Sequence, residues 1–229
     1  MDINKFAVPI SIVVAGLIIG GAVYMSSNKK TSVKDVPAIN KTENEMRPVS
    51  EKDHIIGNPN APLVIVEYSD TECPYCKQFH KTMNTLMETY GKEGKIAWVY
   101  RHFPIDQLHS KARKEAEATE CAFDQGGSDA FWRYINTLYD RTPSNDGLDP
   151  KQLPIIAKEV GLNVDLFNEC LKSSKFKDKV EADYQDAIKA GAQGTPQSFI
   201  ILKDGSKVPI QGAQPLEKMK SVIDILLKK

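Results

Sequence analysis

The feature that most constrains the fold of this chain is the tetrad Cys73-Pro74-Tyr75-Cys76, which stands between a strand pattern and a helical pattern. The run before it, Leu63 to Tyr68, is almost continuously apolar and rich in β-branched residues, which is typical of a buried strand. A cysteine at the start of the following helix lies beside unpaired backbone N–H groups and the positive end of the helix dipole, and both favour thiolate over thiol. With only four cysteines in the chain, this spacing arises by chance in roughly one such sequence in twenty. The placement of the tetrad therefore indicates redox chemistry more strongly than its spacing does.

The length and composition of the chain fit one globular domain with a substantial core. Its 229 residues are 41% apolar and 26% charged. The 30 basic and 30 acidic residues balance, so the chain lacks the positive surplus that is typical of nucleic-acid-binding proteins. We therefore expect no nucleic-acid partner.

One segment, residues 6–25, contains no charged residue and is long enough to cross a bilayer core of ~30 Å as a helix. We interpret it as an uncleaved transmembrane anchor that follows a short flank, residues 1–5. A cleaved signal peptide is the alternative, but the apolar core is long and Asp2 makes its leading segment less basic than in such peptides. Two basic residues, Lys29 and Lys30, follow the segment, and one, Lys5, precedes it. By the positive-inside rule this excess would hold the C-terminal side in the cytoplasm. The cysteine chemistry instead favours an extracytoplasmic domain, at the cell surface or in the periplasm.

Residues 26–53 are rich in Lys, Ser, Thr, Asn, Glu and Pro, which predicts a flexible linker. The folded domain is predicted over residues 54–229, beginning with a turn-rich lead at residues 55–62. A strand at Leu63 to Tyr68, a helix from Cys76 to about Tyr90 and a strand at Ile96 to Tyr100 follow. This βαβ order implies parallel strands in an α/β sheet.

Residues from about 106 to 192 carry helical periodicity and no strand pattern, which predicts an inserted helical subdomain. Its predicted helices are residues 109–125, 129–140, 150–160, 164–172 and 174–190. A hairpin then closes the sheet, with strands at residues 198–202 and 207–211 joined by a turn at Asp204-Gly205. A last helix is predicted from Pro215 to about Lys228.

Several separated phrases of the sequence resemble the DsbA-like branch of the thioredoxin superfamily. They are Gly57-Asn58-Pro59 to Pro62, Glu72 to Cys76, Arg101-His102-Phe103-Pro104 and Gly194-Thr195-Pro196. The order of strand, cysteine turn, helical insertion, hairpin and final helix agrees with that family, so the resemblance covers residues 53 to 229. It implies an α/β thioredoxin fold with an inserted helical subdomain, here preceded by one transmembrane helix.

The resemblance implies roles for the residues around the tetrad. Cys73 would be the exposed nucleophile and Cys76 the more buried partner of a redox-active disulfide. Pro196 matches the family's cis-proline, which would turn the backbone of Thr195 toward a substrate strand, and Pro74-Tyr75 would also meet the substrate. Without the family, Thr195-Pro196 is interpreted as an ordinary trans turn before a strand.

Glu67 lies six residues before Cys73, where the superfamily places a buried carboxylate beneath the disulfide. The resemblance implies that this carboxylate takes the proton of Cys76 when Cys76 attacks a mixed disulfide. The other interpretation is a glutamate at the edge of the sheet.

The two remaining cysteines, Cys121 and Cys170, both fall in the helical insertion. Some relatives carry a second disulfide in this region, so the resemblance favours a structural bridge between them. The alternative is two separate buried thiols.

We predict no metal site. A zinc site built from all four cysteines would need ligand spacing that the second pair lacks, and the histidines show no ligand pattern. We expect His102 to pack inside the domain and His54, His80 and His109 to lie on the surface.

Together these features predict a membrane-anchored protein thiol:disulfide oxidoreductase that introduces disulfides into exported proteins through Cys73-Cys76 and a mixed-disulfide intermediate. Its substrates would be cysteine-containing proteins, it would need no cofactor, and a membrane oxidase of the DsbB or vitamin K epoxide reductase type would reoxidise it. One alternative is an isomerase or reductase with reversed flux, although residues 26–53 are too short and polar for the dimerisation module of isomerase relatives. Another is a non-catalytic thioredoxin-fold binding or chaperone module.

Overall fold

The computed structural model describes residues 45–228, whose strands form one five-stranded mixed sheet with helices on both of its faces. The predicted flank 1–5, the predicted anchor 6–25 and the first part of the predicted linker lie outside these residues. Within the described part of the chain, no helix is both long enough and apolar enough to span a bilayer. The strands are β1 (His54–Gly57), β2 (Leu63–Ser69), β3 (Ile96–His102), β4 (Gln197–Leu202) and β5 (Lys207–Gln211).

The helices lie between and after these strands. One helix and a π-helical turn, residues Met87–Gly91, connect β2 to β3, four helices form the insertion between β3 and β4, and one helix closes the fold. They are α1 (Pro74–Leu86), α2 (Ala112–Arg141), α3 (Gln152–Glu159), α4 (Val164–Ser173), α5 (Lys177–Lys189) and α6 (Leu216–Leu226).

The sheet places β2 at its centre, in the order β1, β3, β2, β4, β5. The predicted βαβ unit is present, because β2 and β3 are parallel and α1 crosses between them. The strands β4 and β5 form the expected antiparallel hairpin, and β4 also pairs antiparallel with β2. As a result, the end of β2 that leads to the cysteines is flanked by two strands.

Strand β1 corrects the sequence analysis, which treated this region as a turn-rich lead. Residues His54–Gly57 pair antiparallel with β3, with His54 opposite Tyr100. The turn begins only at Gly57, whose φ of +94° is a backbone conformation that suits glycine. The two isoleucines before it can therefore extend along the sheet.

Each face of the sheet carries its own apolar core. One core lies beneath α1, α6 and the second half of α2, and it includes Ile65, Trp98 and both active-site cysteines. The core on the other face lies beneath α5 and includes Val66 and Val99. Because side chains alternate along a strand, neighbouring residues of β2 and β3 enter different cores.

The insertion joins its own core to that of the sheet through α2. The sequence predicted two helices here, and the structure agrees, because α2 consists of two helical halves that meet at a kink where Gly126 and Gly127 have non-helical backbone angles and Gly127 has a φ of +63°. Both halves of α2 contribute to the insertion's core, through residues such as Cys121 and Tyr134, and the second half also packs against the sheet through residues such as Phe131 and Ile135. Two glycines allow this change of direction because they adopt backbone angles that a helix excludes.

Residues 45–53 differ from the predicted flexible linker, because they pack on the domain. Met46 is buried in the core beneath α5. The Arg47 guanidinium bonds Asp53 at 2.5 Å and Asp183 on α5 at 2.6 Å. The polar and charged composition predicted a flexible segment, but here the partly buried Arg47 forms ion pairs with Asp53, six residues away, and with Asp183, which is distant in sequence.

The prediction that His54, His80 and His109 lie on the surface was wrong, because all three are buried. One nitrogen of each ring has a polar partner from another element, which offsets the cost of burying that nitrogen. The partners are Glu120, Asn136 and Asp70, respectively. His102 is buried as expected and also contacts Glu120, at 3.0 Å.

Candidate active site

The cysteine tetrad forms the junction between the central strand β2 and helix α1. Cys73 is the N-cap of α1, with φ −77° and ψ 122°, and Pro74 occupies the first turn, where a missing N–H costs no hydrogen bond. Cys73 has 5% of its surface exposed and Cys76 has none. Cys73 is therefore the sulfur that solvent reaches, although it is less open than the predicted exposed nucleophile. Tyr75, with 64% of its surface exposed, is the member of the tetrad that projects most into solvent.

The two thiols, both free in this structure, have opposite acidities. The pKa of Cys73 is lowered to about 6, chiefly by its hydrogen bond with Cys76 and further by backbone N–H groups at the start of α1, which outweigh its burial. Burial raises the pKa of Cys76 well above its usual range, and its bond with Cys73 adds to that increase. At neutral pH the site therefore holds a Cys73 thiolate and a Cys76 thiol.

The loop before β4 lies directly against Cys73. The Thr195-Pro196 peptide bond is cis, and the Thr195 carbonyl oxygen is 3.5 Å from Cys73 Sγ. A groove of about 300 Å³ opens beside this loop and is lined mainly by glycines and glutamines, including Gln193 and Gln211. A chain that bound in this groove would meet polar side chains and backbone next to the reactive sulfur.

Glu67 lies beneath the cysteines in the centre of the sheet and not at its edge. It is completely buried, and its neighbours across the strands are Tyr100 on β3 and Ser198 on β4. Ser69 Oγ donates to Oε1 at 2.7 Å, and the Trp98 indole donates to Oε2 at 2.9 Å. Burial raises the pKa of Glu67 to about 7, and these two hydrogen bonds limit the increase. The carboxyl group can therefore exchange a proton near neutral pH.

Cys121 and Cys170 form a disulfide between α2 and α4, with an S–S distance of 2.00 Å. It lies in the core of the insertion, with Tyr134 and Phe167, and not in the core that contains Cys73. The four cysteines thus divide into a bridged pair in the insertion and a free pair at the start of α1.

Three buried side chains, His54, His102 and Glu120, come close enough to share a metal ion. Both histidine Nε2 atoms point at the same carboxylate oxygen, at 2.7 and 3.0 Å, and Lys179 Nζ is 3.6 Å from that oxygen. A lysine ammonium at this distance opposes a bound cation, and neither Nδ1 atom has a hydrogen-bond partner of the kind that orients metal ligands. The geometry fits a carboxylate that bonds two imidazoles and pairs electrostatically with a lysine better than it fits a metal site.

The comparison with protein families settles the class of this fold. A family model described as thioredoxin matches residues 49–225. The chain belongs to the thioredoxin family. The alignment includes the cysteine tetrad, Glu67 and the Thr195-Pro196 loop, so the site described above lies within the family's own domain.

Solved structures extend this result to a branch of the thioredoxin family. Alpha-DsbA1 of Wolbachia pipientis superposes with a TM-score of 0.70 and 29% identity, over 82% of this chain and 96% of that one. DsbA2 of Pseudomonas aeruginosa superposes with a TM-score of 0.64 and 27% identity, over 80% of this chain and 97% of that one. BdbD of Bacillus subtilis superposes with a TM-score of 0.68 over 85% of this chain and 97% of that one. Its identity is 22%, so this similarity supports the fold alone. The predicted DsbA-like thioredoxin fold with a helical insertion is confirmed, and a thiol-disulfide oxidoreductase is supported.

The curated relatives that match this chain are named as antiporters and not as oxidoreductases. The Na(+)/H(+) antiporter NhaA 3 of Salinispora tropica is 34% identical over 150 residues, which are 66% of this chain and 22% of that protein. NhaA 1 of Mycolicibacterium gilvum is 32% identical over 158 residues, which are 68% of this chain and 24% of that protein. This chain thus spans about a quarter or less of the length of these relatives, and the similarity carries no implication of ion transport.

The turn that leads into this thioredoxin-family site contains groups that the sequence analysis did not select. Asp70 donates its backbone N–H to Cys76 Sγ at 3.4 Å, and its carboxylate bonds His109 Nδ1 at 3.0 Å and the backbone N–H groups of Glu72 and Ile105. Burial lowers the pKa of His109, but its hydrogen bond with Asp70 outweighs this and the pKa is raised. The available signal was the polar run from Ser69 to Glu72, because polar groups buried in a turn must find partners.

Proposed function

We propose that this protein is a DsbA-like oxidase that introduces disulfides into exported proteins at an extracytoplasmic membrane surface. The observation that carries the proposal is the acidity of Cys73, whose thiolate is favoured at neutral pH while Cys76 stays protonated. A stable thiolate stabilises the reduced enzyme, and that makes its disulfide more oxidising. The site then gains electrons readily from substrate thiols.

The proposed reaction begins with the Cys73-Cys76 disulfide. A substrate thiolate attacks Cys73 Sγ, a substrate–Cys73 bond forms, and the Cys73-Cys76 bond breaks with Cys76 leaving as a thiolate that takes up a proton. A second substrate thiolate then attacks the substrate sulfur of the mixed disulfide, and Cys73 leaves as a thiolate. Two electrons pass from the substrate to the enzyme, and the substrate leaves with a disulfide.

Glu67 would serve this reaction as the proton donor and acceptor of Cys76. A group with a pKa of about 7 can give a proton to the departing Cys76 thiolate and take it back when Cys76 attacks a later mixed disulfide. Its burial beside Cys76, without a cationic partner among the described residues, leaves it free to change charge in this pH range.

The substrate would be a cysteine-containing protein held as an extended segment along the Thr195-Pro196 loop. The groove beside this loop offers the amide groups of Gln193 and Gln211 together with exposed backbone. Such contacts suit many sequences, because they bind the main chain of the substrate more than its side chains. Tyr75 and Pro74 would border the same substrate next to Cys73.

The cycle would close through a membrane oxidase of the DsbB or vitamin K epoxide reductase type. In this proposal residues 6–25 anchor the protein in the membrane, with the thioredoxin-family domain on the extracytoplasmic side. An anchor keeps enzyme and oxidase at a high effective concentration, which speeds reoxidation without any new contact.

The direction of flux can be tested by alkylation trapping of the full-length protein in cells. An oxidase holds Cys73-Cys76 mostly as a disulfide, whereas an isomerase or reductase holds it mostly as dithiol, and the latter result would contradict the proposal. A Cys76→Ala variant should accumulate mixed disulfides with exported proteins, while a Cys73→Ala/Cys76→Ala double variant serves as the matched control. Equilibration with glutathione should give a reduction potential between those of thioredoxin and DsbA, about −270 and about −120 mV.

A further inference from the structure

The hydroxyl group of Ser69 stands between the two groups that must exchange a proton in this mechanism. Ser69 Oγ donates to Glu67 Oε1 at 2.7 Å, and the Ser69 side chain lies close enough to Cys76 to lower the pKa of its thiol. A single buried hydroxyl thus bonds the carboxyl group and lies next to the thiol. A hydroxyl can accept one proton while it donates another, so this placement allows transfer without a direct contact between Cys76 and Glu67.

Two tyrosines extend the hydrogen-bond chain behind Ser69. Tyr139 OH lies 3.1 Å from Ser69 Oγ, and Tyr100 OH lies 3.2 Å from Tyr139 OH. Because Ser69 has one proton and donates it to Glu67, the proton in its bond with Tyr139 must come from Tyr139. The proton in the bond between the tyrosines then comes from Tyr100, and every donor in the chain points toward Glu67.

Tyr139 has a second acceptor, which lets the chain adjust when Cys76 changes state. The Asp70 carbonyl oxygen lies 3.2 Å from the Tyr139 hydroxyl and can accept the same proton in place of Ser69. When Cys76 is a thiol and donates to Ser69, Tyr139 can turn its proton to Asp70. When Cys76 is a thiolate or part of a disulfide, Tyr139 can donate to Ser69 instead. Neither state leaves a buried hydroxyl proton without a partner, and such an unpaired group would be costly.

Tyr139 belongs to the second half of α2, beyond the kink at Gly126 and Gly127, and therefore to the helical insertion. The ring of His80 on α1 packs on it, with centroids 4.5 Å apart, and burial lowers the pKa of His80 to about 4, so this neighbour is neutral. The insertion thus supplies a group to a hydrogen-bond chain that otherwise comes from β2 and β3.

We propose that Ser69 carries the proton between Cys76 and Glu67, and that Tyr139 of the insertion is a positioning residue that keeps the Ser69 hydroxyl aligned. The proposal rests on the proposed role of Glu67. In the resolving step the Cys76 proton passes to Ser69 Oγ as the Ser69 proton passes to the Glu67 carboxylate. The Cys76 thiolate then attacks Cys73 Sγ, the Cys73-Cys76 bond forms, and the partner of the mixed disulfide leaves as a thiolate.

The titratable and charged groups around this chain come from two strands, two helices and the turn at Asp70. They are Cys73, Cys76 and His80 on α1, Glu67 on β2, Tyr100 on β3, Tyr139 on α2, and the Asp70 carboxylate with its partner His109. Burial keeps the pKa values of both tyrosines well above their usual range, so they donate hydrogen bonds and do not ionise near neutral pH. Near pH 7, Glu67 is thus the group in the chain that changes charge when Cys73 is held in a mixed disulfide.

The test uses the reduced full-length protein, loaded at Cys73 with 5-thio-2-nitrobenzoate as a chromogenic mixed disulfide. Attack by Cys76 releases the coloured thiolate, and stopped-flow absorbance gives the rate across a range of pH. In the parent this rate should increase as the pH passes about 7, where Glu67 loses its proton. Ser69→Ala should slow release about a hundredfold, which is within the usual effect of a general acid or base. Ser69→Thr should restore most of the rate, because it keeps the hydroxyl.

Tyr139→Phe should slow release roughly fivefold, the cost of one lost neutral hydrogen bond. Tyr134→Phe is its matched control, since Tyr134 is also buried on α2 but donates to the Leu153 carbonyl oxygen outside the chain. We expect this control to release the probe within twofold of the parent. The pKa of Cys73, followed by ultraviolet thiolate absorbance, should remain near its parent value in all of these variants.

The outcomes separate this inference from the proposed role of Glu67. If Glu67→Gln keeps the parent pH profile, the proposed role of Glu67 is wrong. If Glu67→Gln removes the profile while Ser69→Ala keeps it, the proton passes directly or through water, and the relay is overturned. Equal rates for Tyr139→Phe and Tyr134→Phe would refute the contribution of the insertion. Circular dichroism of each variant shows whether a slow rate reflects chemistry or a disturbed fold.

Discussion

The two faces of the central sheet bury acidic groups in opposite ways, and the strands β2 and β3 contribute to both. Glu67 and Tyr100 point to the face that carries the cysteines, while their chain neighbours Tyr68 and Arg101 point to the other face. On that second face, Arg101 bonds Asp53 through two nitrogens, at 2.8 and 3.0 Å, and Asp186 at 2.8 Å. On the cysteine face, the donors to Glu67 in the described part of the chain, Ser69 and Trp98, are both neutral.

The partner of a buried carboxylate, and not its burial, decides whether the carboxylate stabilises the fold or can exchange a proton. Burial alone raises the pKa of Asp53, but Arg101 and Arg47 outweigh it and lower the pKa to about 2. Glu67 is completely buried and bonds no guanidinium among the described residues, and its pKa is raised to about 7. The first carboxylate stays charged at every physiological pH, and the second can exchange a proton.

The largest loss of stability should come from removing the Arg101 guanidinium, which lies on the face of the sheet opposite the cysteines. Arg101→Leu leaves Asp53 and Asp186 buried without their main partner, and we expect it to lower the free energy of unfolding by ~3–5 kcal/mol. Urea denaturation measures the change. Arg113→Leu is the control, because Arg113 bonds Asp106 and Glu181 at the surface and should cost at most ~1 kcal/mol. Equal losses in the two variants would contradict the distinction between the faces.

The pH dependence of stability should have opposite signs for the two carboxylates. The proton of Glu67 binds more tightly in the folded state, so Glu67 destabilises the fold as pH rises from 4.5 to about 7 and by a constant amount above that. Glu67→Gln should therefore be more stable than the parent by about 3 kcal/mol at pH 8, with little difference at pH 4. Asp53 stabilises the fold above pH 3.8, and this contribution is lost as pH falls through about 2. Asp53→Asn should thus lose stability at neutral pH and approach the parent in acid.

Urea denaturation at several pH values measures both variants, with the Cys73-Cys76 disulfide formed so that no nearby thiol titrates. Gln resembles the protonated form of Glu67, which faces the same donors, so the two should agree at low pH. A Glu67→Gln variant that is less stable than the parent at pH 8 would show that its carboxylate has a favourable partner, contrary to the comparison.

The smallest effects should distinguish the two tyrosines that accompany these carboxylates. Tyr68 OH donates to Asp186 at 2.5 Å, and bonds to charged groups contribute ~1.5–3 kcal/mol. Tyr100 OH bonds the neutral Tyr139 hydroxyl, which is worth ~1 kcal/mol. Tyr68→Phe should therefore destabilise the protein more than Tyr100→Phe in thermal unfolding, while Tyr100→Phe should change the rate of Cys76 attack. The reverse order of stabilities would refute this assignment.

The parts of the fold that local patterns determine were predictable from the sequence. The apolar run of β2, the cysteines at the following helix and the turn at Asp204-Gly205 each depend on a few adjacent residues. The break in α2 was predicted near Gly126, but not the continuation of the helix in a new direction. Backbone angles at two glycines decide that direction, and packing on the sheet selects it.

The polar interior could not be predicted, because its partners are distant in sequence. His54 meets Glu120 across 66 residues, and Arg101 meets Asp186 across 85. A histidine or an aspartate has the same appearance in a sequence whether or not such a partner exists. For the same reason Glu67 was selected by resemblance, while Ser69 was passed over although its hydroxyl bonds the Glu67 carboxylate.

The packing of Arg47 also has a mechanical consequence. Its backbone N–H donates to Asp186 at 2.7 Å, and its guanidinium bonds Asp53 and Asp183, so the chain is fastened at this point to α5. A force that pulls on residue 45 is borne first by these charged contacts, on the face of the sheet turned away from Cys73. The load is resisted there before it can distort the distances among Cys76, Ser69 and Glu67 on which a proton transfer depends.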